Sequence, residues 1–285
     1  MVRITELQFA YRGQKNPLFT GLNLDLEPGN IYGLLGRNGA GKTSLLKMVT
    51  GLLFPELGEL QVLGHQPGKR HPAFLQEIYF VAEESSLPAI SIASFQKQQA
   101  PFYPRFSEAA FVKYLDTFDL TASTPLQQLS YGQKKKAQLA FAMATNAKVL
   151  IFDEPTNGLD IPSKSQFRKL LAGSIDEDQI YLISTHQVRD LGNLMDPIVI
   201  LDGGKILFHQ SQEAIAQRIC FELMQQAREP EGVLHAERVA GGFLVMTENE
   251  LEQESIVDIE VLFNAVMESP ARIQSLFTEK VPNHE

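Results

Sequence analysis

An α/β fold with a mainly parallel central sheet is predicted by two features of this 285-residue sequence. Apolar runs of buried-strand length occur at Ile31-Tyr32-Gly33-Leu34-Leu35, Val149-Leu150-Ile151-Phe152 and Ile180-Tyr181-Leu182-Ile183-Ser184. Segments with helical spacing, 43–49 and 163–171, follow or separate these runs. Strands alternating with helices point to a parallel sheet, because each parallel crossover needs a long connection that a helix can supply.

The other elements fill in around this core. Val2, Ile4 and Leu7, then Leu22, Leu24 and Leu26, repeat with period two on either side of the turn-prone residues 13–17, which predicts an N-terminal antiparallel β subdomain. From about 87 to 144 the pattern turns helical, at 106–120 and 133–144, with Pro101, Pro104 and Pro125 as breaks. This reads as an α-helical insertion. Beyond residue 210 a polar, helix-like stretch leads to Val233-Leu234 and Phe243-Leu244-Val245, which flank Gly241-Gly242 as a hairpin, and a last helix covers 258–267. The expected organisation is a main domain at 1–210 and a small α+β appendage at 211–285, with no internal repeat.

Composition excludes several classes. An apolar fraction of 44% and a charged fraction of 21% are ordinary for a folded chain. No run reaches the roughly 18–20 apolar residues that cross a bilayer. The N-terminal MVRITELQFAYRG alternates like a strand and lacks a signal peptide's apolar block, so a cytoplasmic location is expected. The single cysteine, Cys220, excludes an internal disulfide and reads as a core or surface thiol. A formal charge of −9 argues against a broad nucleic-acid surface, and the one basic run, Lys134-Lys135-Lys136, reads as a solvated helix face.

Two motifs carry chemistry. Gly36-Arg37-Asn38-Gly39-Ala40-Gly41-Lys42-Thr43, followed by Ser44, matches G-x-x-x-x-G-K-[ST] between a predicted strand and a predicted helix. Its glycines let backbone N–H groups face a β-phosphate, the helix N-terminus adds partial positive charge, and Lys42 reaches the β/γ oxygens. Thr43 can place its hydroxyl on Mg²⁺. The second motif is an apolar strand ending in Asp153-Glu154. In phosphate-loop NTPases the strand-terminal Asp holds Mg²⁺, which leaves Glu154 to orient or deprotonate the attacking water. The expected fold is therefore that of a P-loop NTPase binding ATP and Mg²⁺.

A more specific likeness lies between these motifs. Leu129-Ser130-Tyr131-Gly132-Gln133 resembles the signature of ATP-binding-cassette (ABC) ATPases. Asp153-Glu154-Pro155-Thr156-Asn157-Gly158-Leu159-Asp160 is similar to that family's second nucleotide motif with its following loop, and Ser184-Thr185-His186 resembles its switch histidine. The resemblance covers roughly residues 1–210. It implies an ATP-hydrolysing subunit of an ABC transporter, similar to stand-alone subunits of drug-exporter-type systems. Such a subunit is peripheral on the inner face of the membrane through separate permease subunits.

The resemblance also implies a head-to-tail homodimer or heterodimer, in which each ATP lies between one phosphate loop and Ser130, Gly132 and Gln133 of the other subunit. Tyr11 would stack on adenine, and His186 would sense the γ-phosphate and act with Glu154. Two departures stand out. Glu83 occupies the metal-loop position where the family usually carries Gln, and a carboxylate there can still ligate Mg²⁺. Tyr131 replaces the commonest residue, glycine, so its ring must point away from the nucleotide. Ribosome- or DNA-associated relatives generally carry two cassettes or a long coiled-coil insertion, and neither feature is present. Non-catalytic relatives tend to lose the carboxylate that Glu154 retains.

Overall fold

The computed structural model describes residues 1–14, 16–84, 86–225, 232–251 and 253–278. In chain order the elements are β1 (Val2–Phe9), β2 (Phe19–Leu26), β3 (Asn30–Leu35), α1 (Lys42–Val49), β4 (Leu57–Val62), α2 (Pro72–Leu75) and β5 (Ile78–Val81). The insertion supplies α3 (Ile92–Gln99), α4 (Glu108–Thr117) and α5 (Tyr131–Ala144). Next come β6 (Val149–Asp153), α6 (Ile161–Ala172), β7 (Ile180–Ser184), α7 (Val188–Leu191), β8 (Ile198–Asp202) and β9 (Lys205–Gln210). The appendage holds α8 (Gln212–Arg218), β10 (Ile219–Met224), β11 (Val233–Val239), β12 (Gly242–Glu248), α9 (Ile259–Glu268) and α10 (Pro270–Ser275).

Six strands form the central sheet in the order β5-β6-β7-β3-β8-β9, all parallel except the β8–β9 pair. Successive strand side chains point to opposite faces, and here both faces are apolar. Ile31 and Leu35, Leu150 and Phe152, Tyr181 and Ile183 line one face beneath the helical insertion. Tyr32 and Leu34, Val149 and Ile151, Ile180 and Leu182 line the other, which is covered by α1 and the N-terminal β2-β1-β4 sheet. Burial on both faces is why these runs are continuously apolar in sequence.

The expected antiparallel subdomain, hairpin and helical insertion are all present, and the differences have local causes. Strands β4, β5, β8, β9 and β10 and helices α2, α3, α7 and α10 have no counterpart among the segments predicted from sequence. β4, for example, buries only Leu60 and Val62, too few apolar positions for a clear period. The helix expected at 106–120 spans Glu108–Thr117, because Ser107 caps it by accepting from the Ala110 N–H at 3.2 Å. It ends before Asp119, which has a left-handed φ of 55°. Helix α5 starts two residues earlier than expected, at Tyr131, because Ser130 and Gln133 close a capping box. The lysine run needs correction: Lys135 is only 2% exposed, so it is part of the interior and not a solvated face. Cys220 is buried on β10.

The insertion is held by an aromatic cluster centred on Phe141, whose ring lies 5.1–6.2 Å from those of Tyr79, Phe95, Tyr103, Phe106 and Phe111. Phe141 is fully buried. Phe141→Ala should destabilise the fold by about 3–5 kcal/mol, read as a lower urea midpoint at constant slope. A loss below about 1 kcal/mol would show that the cluster does not anchor α5 to the sheet.

Candidate active site

The loop between β3 and α1 turns back over the C-terminal edge of the sheet, and two of its glycines are required by close contact. Gly41, the N-cap of α1, has φ +105°, and a Cβ there would lie 2.8 Å from the Phe19 ring. At Gly36 a Cβ would come within 2.4 Å of the Leu201 carbonyl oxygen on β8. Lys42 curls onto its own loop, with Nζ donating to the Gly36 and Arg37 carbonyls at 2.7 and 3.2 Å. Burial lowers the Lys42 pKa, opposed by the carboxylates of Glu154, Asp153 and Glu83. A buried ammonium facing three carboxylates is suited to meeting phosphate oxygens.

The ends of β6 and β7 supply the acidic side. Asp153 is 2% exposed. It accepts from the Thr43 hydroxyl at 2.7 Å and, through its other oxygen, from the Ser184 hydroxyl. Thr43 and Asp153 thus present adjacent hard oxygen donors, the ligand type that Mg²⁺ prefers. Glu154, 5% exposed, sits at φ 45°, a left-handed conformation costing about 1–3 kcal/mol for a non-glycine residue. Its N–H donates to the Ser184 carbonyl at 3.0 Å. Its carboxylate meets His186 twice, with Oε1 at 2.8 Å from Nδ1 and Oε2 accepting from the backbone N–H at 3.3 Å.

One pocket of about 570 Å³ is lined by Tyr11, Arg37, Asn38, Gly39, Gly41, Lys42, Thr43, Ser44, Glu83, Asp153, Glu154 and His186. Twelve residues singled out from sequence therefore converge on one space of ligand size. Gln14 and Leu18 complete the lining. The Tyr11 hydroxyl shares a hydrogen bond with Ser44 Oγ at 2.8 Å, and its ring stands edge-on to Phe9 at 4.9 Å. Gly36 and Ala40 belong to the loop without lining the pocket.

Ser130, Gly132 and Gln133 also lie outside this pocket. Ser130 Oγ accepts from the Gln133 N–H at 3.3 Å, and Gln133 Oε1 accepts from the Ser130 N–H at 2.9 Å. Gly132 packs on the loop after β6, where a Cβ would lie 2.6 Å from the Gly158 carbonyl. The Tyr131 ring covers Gly158, and its hydroxyl donates to the Glu83 carbonyl at 3.1 Å. Sequence reasoning missed Lys135, whose Nζ donates to the Ala82 and Glu83 carbonyls at 3.1 and 2.8 Å. Burial lowers its pKa, opposed by Glu83, Asp153 and Glu154. It also missed a chain of amides: Asn157 donates to Glu83 Oε1 at 2.8 Å, Gln187 to Asn157 at 2.9 Å, and Lys164 to Gln187 at 3.1 Å. Nothing in local sequence marks these contacts, which span up to 74 positions.

A phosphate loop, a strand-end carboxylate pair and a histidine bonded to the second carboxylate, all around one pocket, define a P-loop ATPase. Residues 19–157 match the ABC transporter family. The bacitracin transport ATP-binding protein BcrA of Bacillus licheniformis is 30% identical over 73% of this chain and 68% of its own. The cobalt import ATP-binding protein CbiO of Salmonella paratyphi A is 29% identical over 80% and 86%. A dimeric post-hydrolysis structure of the ATP-binding cassette MJ0796, bound to ADP and Pi, superposes with a TM-score of 0.65 at 21% identity, covering 74% of this chain and 98% of that one. The chain belongs to the ABC transporter family. Within it, the protein is the ATP-binding subunit, and it is an ATPase.

Gly36→Ala tests the loop geometry directly. The added methyl group meets backbone on β8, so binding of a fluorescent ATP analogue should weaken at least about tenfold, with a lower melting temperature. Unchanged binding would show that the loop can retreat.

Proposed function

We propose that this subunit drives export through separate membrane-spanning permease subunits, with ATP closing a head-to-tail dimer and hydrolysis reopening it. The assignment of roles rests on one observation: Lys42, Thr43, Asp153, Glu154 and His186 line the same pocket. In this reading residues 36–44 cradle the phosphates and Tyr11 stacks on adenine. Thr43, Asp153 and Glu83 hold Mg²⁺, which when bound screens the phosphate charge. Glu154 orients and deprotonates the attacking water, and His186 holds Glu154 and contacts the γ-phosphate. Ser130, Gly132 and Gln133, at the start of α5 and outside this pocket, complete the site of a second subunit, where the helix N-terminus meets phosphate.

Residues 1–210 form the ATPase domain and 211–285 an accessory segment. Among the described residues no helix is long and apolar enough to cross a membrane, which supports peripheral attachment at the inner face through the permeases. Export is favoured by the resemblance to stand-alone exporter subunits. Import is the second reading, supported by the likeness to a cobalt import protein.

Glu154→Gln should bind ATP normally and hydrolyse it about 10²–10⁴-fold more slowly, the usual loss when a general base is removed. Isolated from native cells with Mg-ATP and mild detergent, this variant should carry a stoichiometric polytopic membrane protein identifiable by mass spectrometry. Near-normal turnover would place water activation elsewhere, and ribosomal proteins or nucleic acid in the isolate would overturn the transport reading. Glu83→Gln should retain Mg²⁺-dependent ATP binding, because an amide oxygen can take the same place; loss of that binding would contradict this.

A further inference from the structure

The two positions that depart from the family pattern, Glu83 and Tyr131, touch each other. The Tyr131 hydroxyl donates to the Glu83 carbonyl at 3.1 Å, and Lys135 donates to the same oxygen at 2.8 Å and to Ala82 at 3.1 Å. Residues four apart on a helix share a face, so α5 grips this short segment with two donors one turn apart. The Glu83 side chain is fixed separately, with Asn157 donating to Oε1 at 2.8 Å. Backbone and carboxylate are thus aimed by two different elements.

Lys135 is only 2% exposed, and both of its hydrogen bonds go to neutral carbonyls. Burying an ammonium this way is costly unless negative charge lies nearby. The carboxylates within reach of its field are those of Glu83, Asp153 and Glu154, all of which line the nucleotide pocket. A glutamate in place of glutamine adds one negative charge beside a bound triphosphate, and a fixed positive charge behind it offsets that repulsion.

We propose that Tyr131 and Lys135 are positioning residues for Glu83, and that Lys135 supplies the positive charge that allows a carboxylate to stand beside Mg-ATP. The inference rests on the reading of Glu83 as part of the metal site.

The test compares binding of a fluorescent ATP analogue to the full chain in EDTA and in Mg²⁺, with melting temperatures of the ligand-free proteins as a check on folding. Lys135→Gln should lower the affinity in Mg²⁺ about tenfold. In the Glu83→Gln chain the same substitution should cost at most about twofold, because the carboxylate that needs offsetting is gone. Equal losses in the two backgrounds overturn the charge argument. Tyr131→Phe keeps the ring over Gly158 and removes only the hydroxyl. It should reduce the gain from EDTA to Mg²⁺ two- to threefold, and an unchanged gain overturns positioning. If Lys135→Gln lacks a cooperative melt, Tyr131→Phe still decides the positioning claim, and Lys135→Met, run through the same two backgrounds, decides the charge claim. Glu83→Ala separates the two levels: a wild-type gain from Mg²⁺ in that variant removes Glu83 from the metal site and sinks the underlying reading.

Discussion

The carboxylate of Asp153 ties together three parts of the chain that meet only because the sheet is parallel. One oxygen takes the Thr43 hydroxyl from the start of α1 and the other takes the Ser184 hydroxyl from the end of β7. Register makes this possible, since Asp153 pairs with Ser184 across β6 and β7 while Leu34 pairs with Ser184 across β3 and β7. With all three strands pointing the same way, their C-terminal ends form one rim. The loops after them gather there, as ligand-binding loops do in open α/β sheets.

The strain at Glu154 belongs to the same arrangement. A left-handed glutamate persists only where its surroundings hold it, and here the hold is specific. Its N–H is fixed by Ser184, while its carboxylate is engaged by His186 from the loop after β7. The chain therefore places the carboxylate proposed to handle water by bending the backbone immediately after β6, at a point where the end of β7 and the loop after it restrain it.

Helix α5 and the appendage show how far the apolar core extends. The cluster on one face of the sheet continues without a break from the insertion, through Phe141 and Met143, into Phe221, Met246, Leu262 and Val266. Arg189, just beyond His186, pairs with Glu260 on α9 at 2.7 Å. That pair is exposed and worth little energetically; the continuous apolar cluster and the part-buried hydrogen bonds from Gln212 on α8 to the Gly192 and Met195 carbonyls, at 3.0 and 2.7 Å, join residues beyond 210 to the rest of the chain.

Much of this protein was determined by the sequence alone. The signature segment and His186 are legible through their resemblance to family motifs, whereas the phosphate loop and the strand-end carboxylates are local patterns. Each needs particular residues at short, fixed spacings, because a phosphate-binding loop or a helix N-terminus is built from a few consecutive backbone groups. The alternation of apolar strands and helices is equally local and reveals the fold class. Only the tertiary structure decided which residues support the site from a distance. Lys135 reads as one of three surface lysines until the fold packs it against the segment carrying Glu83, and Asn157 and Gln187 form a hydrogen-bonded line only once the ends of β6 and β7 stand side by side. Burial and long-range hydrogen bonding depend on how elements far apart in the chain are brought together, and no periodicity in the chain encodes that.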